Sequence, residues 1–422
     1  MHGGEECFIV NQDQLFKLTN SNVRQNEKIV VFGVGGGGGN ALNHIIESNV
    51  QGVDFVAANT DARALDQNLA HNKIILVEAL TRGLGAGANP AVGTNAAKES
   101  IDRIKEYIAG ADMLFVTAGM GGGTGTGAAP VIAETARDMG VLVVGVVTKP
   151  FGFEMAKRMR TAEEGIEVLK KNVDALLVVE NDKLLQIDNG SKMKIVDAYK
   201  KVDEVLRQAV QGVTDLITKS GFINLDFADI KAILTGAGTA VMGMGEGEGE
   251  DRAVIAARNA IQSPLMTIPV TGAKGILLNV TTGAEILLTE MSDAAKIIEE
   301  TADPDAQVIW GHVIDESLGE KVHVTLIATF PEEAMQNIRA RGNTAKPNID
   351  RPEPVAPQPP QAPQFNSRPG GSIYDIYNKN RNLANQGLQE ANLTAPTNEG
   401  GFPAHQRKLY DQPALYRKNS KN

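Results

Sequence analysis

The 422-residue chain has a single cysteine, Cys7. That excludes an intramolecular disulfide and a cysteine-based metal cluster, and it suits a reducing compartment. Six histidines are present, none at HxxxH or HExxH spacing, so the usual zinc-hydrolase chemistry has no ligands, and no metal-ligating residues are assigned. The first 30 residues carry Glu5, Glu6 and Asp13 and lack a long apolar core, so no signal peptide is expected. No apolar run approaches the roughly 20 residues that span a bilayer. A cytoplasmic protein with no direct transmembrane segment is expected, and any membrane attachment would need a partner.

Positive charge is also scarce, except at one end. The net charge is −10 overall, +4 on 401–422 and zero on 346–400, which leaves −14 on 1–345. An acidic body argues against nucleic acid as a partner. The short basic end reads as a docking peptide or a contact with anionic lipid. Eleven of the 18 prolines lie beyond residue 345. With few apolar groups to offset chain entropy, the stretch before the basic end reads as a flexible, disordered linker.

Between these ends the chain alternates short β-branched runs with helical segments. Ile29–Phe32, Asp54–Ala58, Ile74–Val77, Leu114–Ala118, Val141–Thr148 and Leu176–Val179 read as buried parallel strands. The alternation implies βαβ units, an α/β doubly wound and mainly parallel sheet. Ile195, Tyr199, Val202, Leu206, Ala209, Val213 and Leu216 recur three and four apart, which predicts one long helix with these residues on its apolar face. By spacing alone Tyr199 is a core residue. Helices and strands are then interleaved differently over 222–330, as in a smaller α+β domain. Gly245–Glu250 reads as a solvated acidic loop. The expected division is an N-terminal extension 1–27, a nucleotide-binding domain 28–194, a central helix 195–221, an α+β domain 222–332, a linker 333–400 and a C-terminal partner-binding peptide 401–422.

Two glycine runs carry the chemistry. Gly33–Asn40 follows the first strand and contains GxGxxG at Gly33, Gly35 and Gly38, with Asp61 about 20 residues on. Alone, that is a weak dinucleotide fingerprint. The second run, Gly121, Gly122, Gly123, Thr124, Gly125, Thr126 and Gly127, lies between the strand ending near Ala118 and a helix expected from Ala128 to Met139. Two such loops at neighbouring strand ends can enclose a polyphosphate from both sides. Neither contains the Gly-Lys-Ser/Thr of a P-loop, so helix N-termini and a Mg²⁺ ion held mainly by phosphates and water would balance the charge. Thr81–Pro90 is a third glycine-bearing loop. Asp226 and Asp229 stand three apart at a helix start, where the plain reading is an N-cap.

The second run resembles the signature of the tubulin/FtsZ superfamily of GTPases, its bacterial division branch in particular. Thr81–Pro90, Thr148–Phe151 with Glu154 and Arg158, Asn181 with Asp182, and Gly221–Asp229 match in the same order. The resemblance implies a tubulin-like fold that binds GTP and GDP. It places Gly35, Gly36, Gly37 and Asn40 at the nucleotide, and Ala86, Gly87 and Ala88 at the γ-phosphate. Gly121 to Gly127 would wrap the phosphates, Glu154 and Arg158 hold the ribose and a nearby phosphate, Asn181 and Asp203 read guanine, and Tyr199 stacks on it. It further implies that Asn224, Asp226 and Asp229 enter the site of the next subunit in a head-to-tail homopolymer and act on the attacking water. Spacing alone does not show a shared site. A role in the division ring at midcell follows from the same resemblance. So does docking of residues 409–418 on a membrane-anchoring adaptor such as the actin-like protein FtsA. The chain departs from the pattern at Gly39, His44, Tyr199, Gln412 and Leu415.

Overall fold

The computed structural model describes residues 27–76, 81–187, 193–219 and 225–335. The extension 1–26, nearly all of the linker, the 409–418 peptide and Asn224 lie outside the described residues.

Ten strands of the described residues form one sheet, in the order β3-β2-β1-β4-β5-β6-β7-β10-β8-β9. They are β1 Ile29–Val34, β2 Val53–Asn59, β3 Asn72–Ile75, β4 Met113–Gly119, β5 Leu142–Lys149, β6 Ala175–Glu180, β7 Gly238–Gly247, β8 Gly275–Thr282, β9 Gln307–Ile314 and β10 Val322–Phe330. The first seven are parallel to their neighbours. β10 then pairs antiparallel with both β7 and β8, and β9 is parallel to β8. The parallel part explains the unbroken apolar runs. Ile29 and Val31 of β1 belong to one core, whereas Val30, Phe32 and Val34 belong to another, so both faces are covered by helices.

The helices are α1 Gly35–Glu47, α2 Ala62–Asp66, α3 Pro90–Glu99, α4 Ile101–Ile108, α5 Thr124–Asp138, α6 Ala156–Lys170, α7 Asn181–Ile187, α8 Ile195–Thr218, α9 Phe227–Leu234, α10 Arg252–Ile261 and α11 Leu288–Thr301. Apolar residues of α1, α8 and α9 join the first core; those of α3, α4, α5 and α6 form the second. A third core gathers β7, β8, β10, α10 and α11. The 24 residues of α8 span about 36 Å at ~1.5 Å each. This helix packs on α1 and β5 and also on β8, β9 and β10.

Three sequence expectations change. First, the apolar face of α8 does not begin at its first turn. Ile195 is 66 % exposed and Tyr199 39 %, whereas Val202, Leu206 and Val213 are buried. In the first turn only Ala198 is buried among the described residues, so the apolar periodicity runs past the core. Second, α5 starts at Thr124 rather than Ala128, so half of the glycine run is helix. Third, Gly245–Gly247 is not loop but the end of β7, pairing with Val322–Val324. Its alternation has a packing reason. A Cβ on Gly243, Gly245 or Gly247 would stand about 2 Å from the carbonyl oxygen of Ala260, Ala256 or Arg252 in α10. Between them, Glu246 is exposed and pairs with Lys321 and His323.

A candidate nucleotide site at the strand ends

Chain order places β1 centrally, with β2 and β3 to one side and β4, β5 and β6 to the other. The crevice between β1 and β4 is therefore a topological switch point, where ligands of open α/β sheets bind. Both glycine runs emerge there. Gly35 and Gly37 open α1, and Gly38 continues it, although glycine is a poor helix former. Close packing explains this: a Cβ on Gly38 would lie 2.3 Å from the Thr117 carbonyl oxygen of β4. Gly35 has φ +73° and sits against Gly125, where a Cβ would come within 2.8 Å of the amide nitrogen. The two runs thus touch, and two helix N-termini converge on one crevice. A Cβ on Gly36 or Gly122 would meet nothing within 4 Å. Those two positions face open space, as a cradle for a ligand requires.

The third loop leans on the second run. Arg82, Gly83, Gly85, Gly87 and Ala88 all have positive φ, so its amides turn sharply. Asn89 caps α3 by accepting from the Ala91 amide at 3.0 Å. Ala86 and Asn89 lie against Gly123, whose added Cβ would be 2.7 Å from Ala86 Cβ. A cavity of about 230 Å³ opens beside the first run, lined by Gly35, Gly36, Asn40, Asn43, Asn59 and Asn68.

The other candidates gather along the next strand ends. Gly121 donates its amide to Thr126 Oγ1 at 2.8 Å and approaches the backbone of Arg158. Glu154 accepts from the Phe151 amide at 2.9 Å and pairs with Arg158 Nη1 at 2.7 Å. Tyr199 bonds to Glu154; burial, then that carboxylate, push its phenol up. Its ring meets Phe151 edge-on at 5.4 Å and leaves surface open for stacking. Asn181 starts α7 and is 4 % exposed. Its Oδ1 is buried with no hydrogen-bond partner, a costly state unless a ligand supplies a donor. Asp203 lies one helical turn beyond Tyr199 on α8, on the same face. Burial pushes its carboxyl up to about 6, against the pull of nearby His44. His44 itself bonds Glu204 at 2.9 Å.

Asp226 and Asp229 are both exposed. Asp226 caps α9, accepting from the Asp229 amide at 2.8 Å. Among the described residues, no hydrogen bond or ion pair joins either carboxylate to the glycine runs of its own chain. Asp61, the acidic partner in a dinucleotide fingerprint, caps α2 through the Arg63 and Ala64 amides. It is thereby committed to holding a helix rather than free to take a ribose.

Two features were not anticipated from sequence. Thr60 is fully buried and bonds Thr124 Oγ1 at 2.6 Å; its place just after β2 was the only signal. The larger cavity, about 820 Å³, lies away from the glycine runs, between α8 and strands β7, β8 and β10. Asp215 Oδ1 and Asn279 Oδ1, on two of its lining residues, are buried without partners. The helix N-termini, the open glycines and the Asn181 acceptor lie at the same end of the sheet as the smaller cavity.

Converging helix N-termini at the switch point of a doubly wound sheet define a nucleotide-binding α/β protein. Residues 28–189 match the GTPase domain of the tubulin/FtsZ family, and residues 238–330 match the C-terminal domain of the FtsZ family. An FtsZ dimer from M. jannaschii is 43 % identical with a TM-score of 0.70, covering 75 % of this chain and 91 % of that one. A tryptophan-to-tyrosine mutant of FtsZ from the same organism is 42 % identical with a TM-score of 0.71, covering 76 % and 96 %. The chain belongs to the tubulin/FtsZ family of GTPases. CetZ2 from Haloferax volcanii, described as a GTPgS-bound protofilament, is 20 % identical with a TM-score of 0.61, covering 75 % and 99 %, and shares the fold. No helix among the described residues is long and apolar enough to cross a membrane.

Proposed function

We propose that this chain binds and hydrolyses GTP and assembles head to tail into filaments of the bacterial division ring. The observation that carries the guanine assignment is the buried, unpartnered Oδ1 of Asn181, at the end of β6 and the start of α7, which packs on α8. Guanine offers N–H donors at N1 and the 2-amino group, which an adenine ring does not. Asp203 and Asn181 supply acceptors for them, and Tyr199 supplies a stacking face. Gly35, Gly36, Gly37, Asn40 and Gly121 to Gly127 supply amides to the phosphates, and Ala86, Gly87 and Ala88 close on the terminal one. Glu154, oriented by Phe151, and Arg158 hold the ribose side.

No group of three or more His, Cys, Asp or Glu suited to a metal ion occurs among the described residues. A Mg²⁺ ion carried in by the triphosphate would supply charge neutralisation. The chain's own contribution is positioning and dipoles, which is most of what phosphoryl transfer requires.

Hydrolysis then needs a carboxylate to hold the attacking water; Glu154 and Asp203 serve the ribose and base sides, and among the described residues no carboxylate is hydrogen-bonded or ion-paired to the glycine runs. Asp226 and Asp229, exposed at the start of α9, together with Asn224, would complete the crevice of the next subunit. Exposed apolar side chains support self-association. Phe153, Met155, Ile195 and Val196 are 57–73 % exposed near the crevice; Leu287 and Leu288 are 62 % and 84 % exposed at α11. A heterologous contact that does not close builds a filament. The domain boundaries set out above, cytoplasmic localisation at midcell and docking of 409–418 on an adaptor such as FtsA belong to the same proposal.

The test is GTPase rate against protein concentration, with pelleting in GTP and in GDP. Specific activity should rise with concentration, and pelleting should need GTP. A specific activity independent of concentration would overturn hydrolysis between subunits.

A further inference from the structure

Thr60 ties together two of the segments that surround the phosphate crevice. It follows β2 directly and is completely buried. Its carbonyl oxygen accepts from the Gly85 amide at 3.1 Å, and the amide of Ala62, two residues on, donates to the Gly83 carbonyl at 3.1 Å. Those bonds anchor the positive-φ loop that carries Ala86 to Ala88. The Thr60 hydroxyl points elsewhere, to Thr124 Oγ1 at 2.6 Å. Thr124 is the first residue of α5. The preceding residue, Gly123, lies against Ala86 and Asn89 of the same loop. One buried residue thus holds the loop by its backbone and the helix start by its side chain.

The hydroxyl pair has a direction to choose. Each hydroxyl has one proton and can accept two bonds. If Thr124 donates to Thr60, only its acceptor side remains for a ligand. If Thr60 donates to Thr124, the Thr124 proton is free to reach an anionic oxygen, and the helix N-terminus favours that anion. The buried bond at 2.6 Å also restrains the Thr124 side chain, so the donor would be set in place before the ligand arrives.

We propose that Thr60 is a positioning residue for the terminal phosphate. It orients the Thr124 hydroxyl and couples it to the Ala86–Ala88 loop, and so sets the preference for nucleoside triphosphate over diphosphate. This assignment rests on the GTP-binding function proposed above.

The experiment measures GTP and GDP affinity and GTPase kinetics on the full chain, for the wild type and for Thr60→Val, Thr60→Ser and Thr124→Val. Thr60→Val keeps the shape and the backbone carbonyl but loses the hydroxyl. The GTP-over-GDP affinity ratio should fall by about fivefold or more, the scale of a weakened hydrogen bond to a charged group. Thr60→Ser should stay within about twofold of wild type. Combining Thr60→Val with Thr124→Val should cost no more than Thr124→Val alone, since one acts through the other. An unchanged ratio in Thr60→Val, or additive losses in the double variant, would overturn the assignment. A defect in Thr60→Ser as large as in Thr60→Val would also overturn it, since serine keeps the hydroxyl. If Thr60→Val does not fold, Thr60→Ala removes the hydroxyl without adding a methyl beside Thr124, and the same comparison applies. A wild-type chain that binds no GTP would remove the proposed function itself. Normal wild-type binding with an unaffected Thr60→Val removes only the role of Thr60.

Discussion

Replacing Asp203 with Asn tests the guanine site most sharply, because it should harm binding and help stability at once. In the proposed site an ionised Asp203 would accept from guanine N1–H and from the 2-amino group. Asn keeps one acceptor but turns its own amide donor toward that amino group. Losing one hydrogen bond to a charged group is worth about 1.5–3 kcal/mol, and opposing two donors adds to it. For a half-buried site the loss should be about 2–4 kcal/mol, or roughly 30- to 1000-fold in GTP affinity. Xanthine carries a carbonyl where guanine carries the amino group, so Asp203→Asn should bind XTP better than the wild type does. The stability effect has the opposite sign. Burial pushes the Asp203 carboxyl up to about 6, so its ionised form is disfavoured in the folded apo chain. A shift of about 2 pH units corresponds to ~3 kcal/mol at full burial, and solvent access reduces it to about 1–2 kcal/mol. Apo Asp203→Asn should therefore melt a few degrees higher at about pH 7.5, read by calorimetry. Titration calorimetry with GTP, GDP and XTP gives the affinities. GTP affinity within about threefold of wild type, with no gain for XTP, would refute guanine reading by Asp203.

Four further outcomes follow from particular residues. The raised Asp203 carboxyl makes binding acid-sensitive: GTP affinity should be full above about pH 7 and fall as pH drops through about 6, measurable by fluorescent-nucleotide titration. The apo chain's stability should change the other way there, since a folded-state carboxyl that holds its proton more tightly than the unfolded one contributes a cost absent below about pH 4 and complete above about pH 6. Met155 sits at φ 79° and ψ 152°, a region nearly restricted to glycine that costs about 1–3 kcal/mol; Met155→Gly should therefore stabilise the chain by about 0.5–2 kcal/mol after the entropy of glycine is counted, seen as a higher denaturant midpoint. Gly38→Ala places a methyl 2.3 Å from the Thr117 carbonyl and should destabilise by at least about 2 kcal/mol in the same assay.

The legible parts of the sequence were those where one physical rule acted alone. The apolar runs of β1 and β4 had to be buried on both faces, and the sheet buries them. The glycine runs had to lie at strand ends, and the structure brings them into contact. Helical periodicity found α8 but misjudged Tyr199, because spacing reports a face and not where the neighbouring elements stop. Asp61 matched a fingerprint by spacing, yet its carboxylate caps a helix that begins at the very next residue. Thr60 was illegible, since a buried hydroxyl acquires meaning only through Thr124, 64 residues away. The exposure of Asp226 and Asp229 fits both a helix cap and a surface offered to another subunit.

The alternating glycines of β7 carry one more consequence. Two strand residues advance about 6.6 Å, and four helix residues advance about 6.0 Å. Gly243, Gly245 and Gly247 therefore keep step with Ala260, Ala256 and Arg252 along the length of α10. Beyond Val241, the strand has no side chain on that face, so over 243–247 the fit against the helix rests on parity. Deleting one residue anywhere in 243–247 would turn Glu246 and its neighbours in even positions against the helix backbone and send the glycines outward. Longer changes by two residues would restore the alternation. In this strand, odd and even length differences should behave as different kinds of mutation.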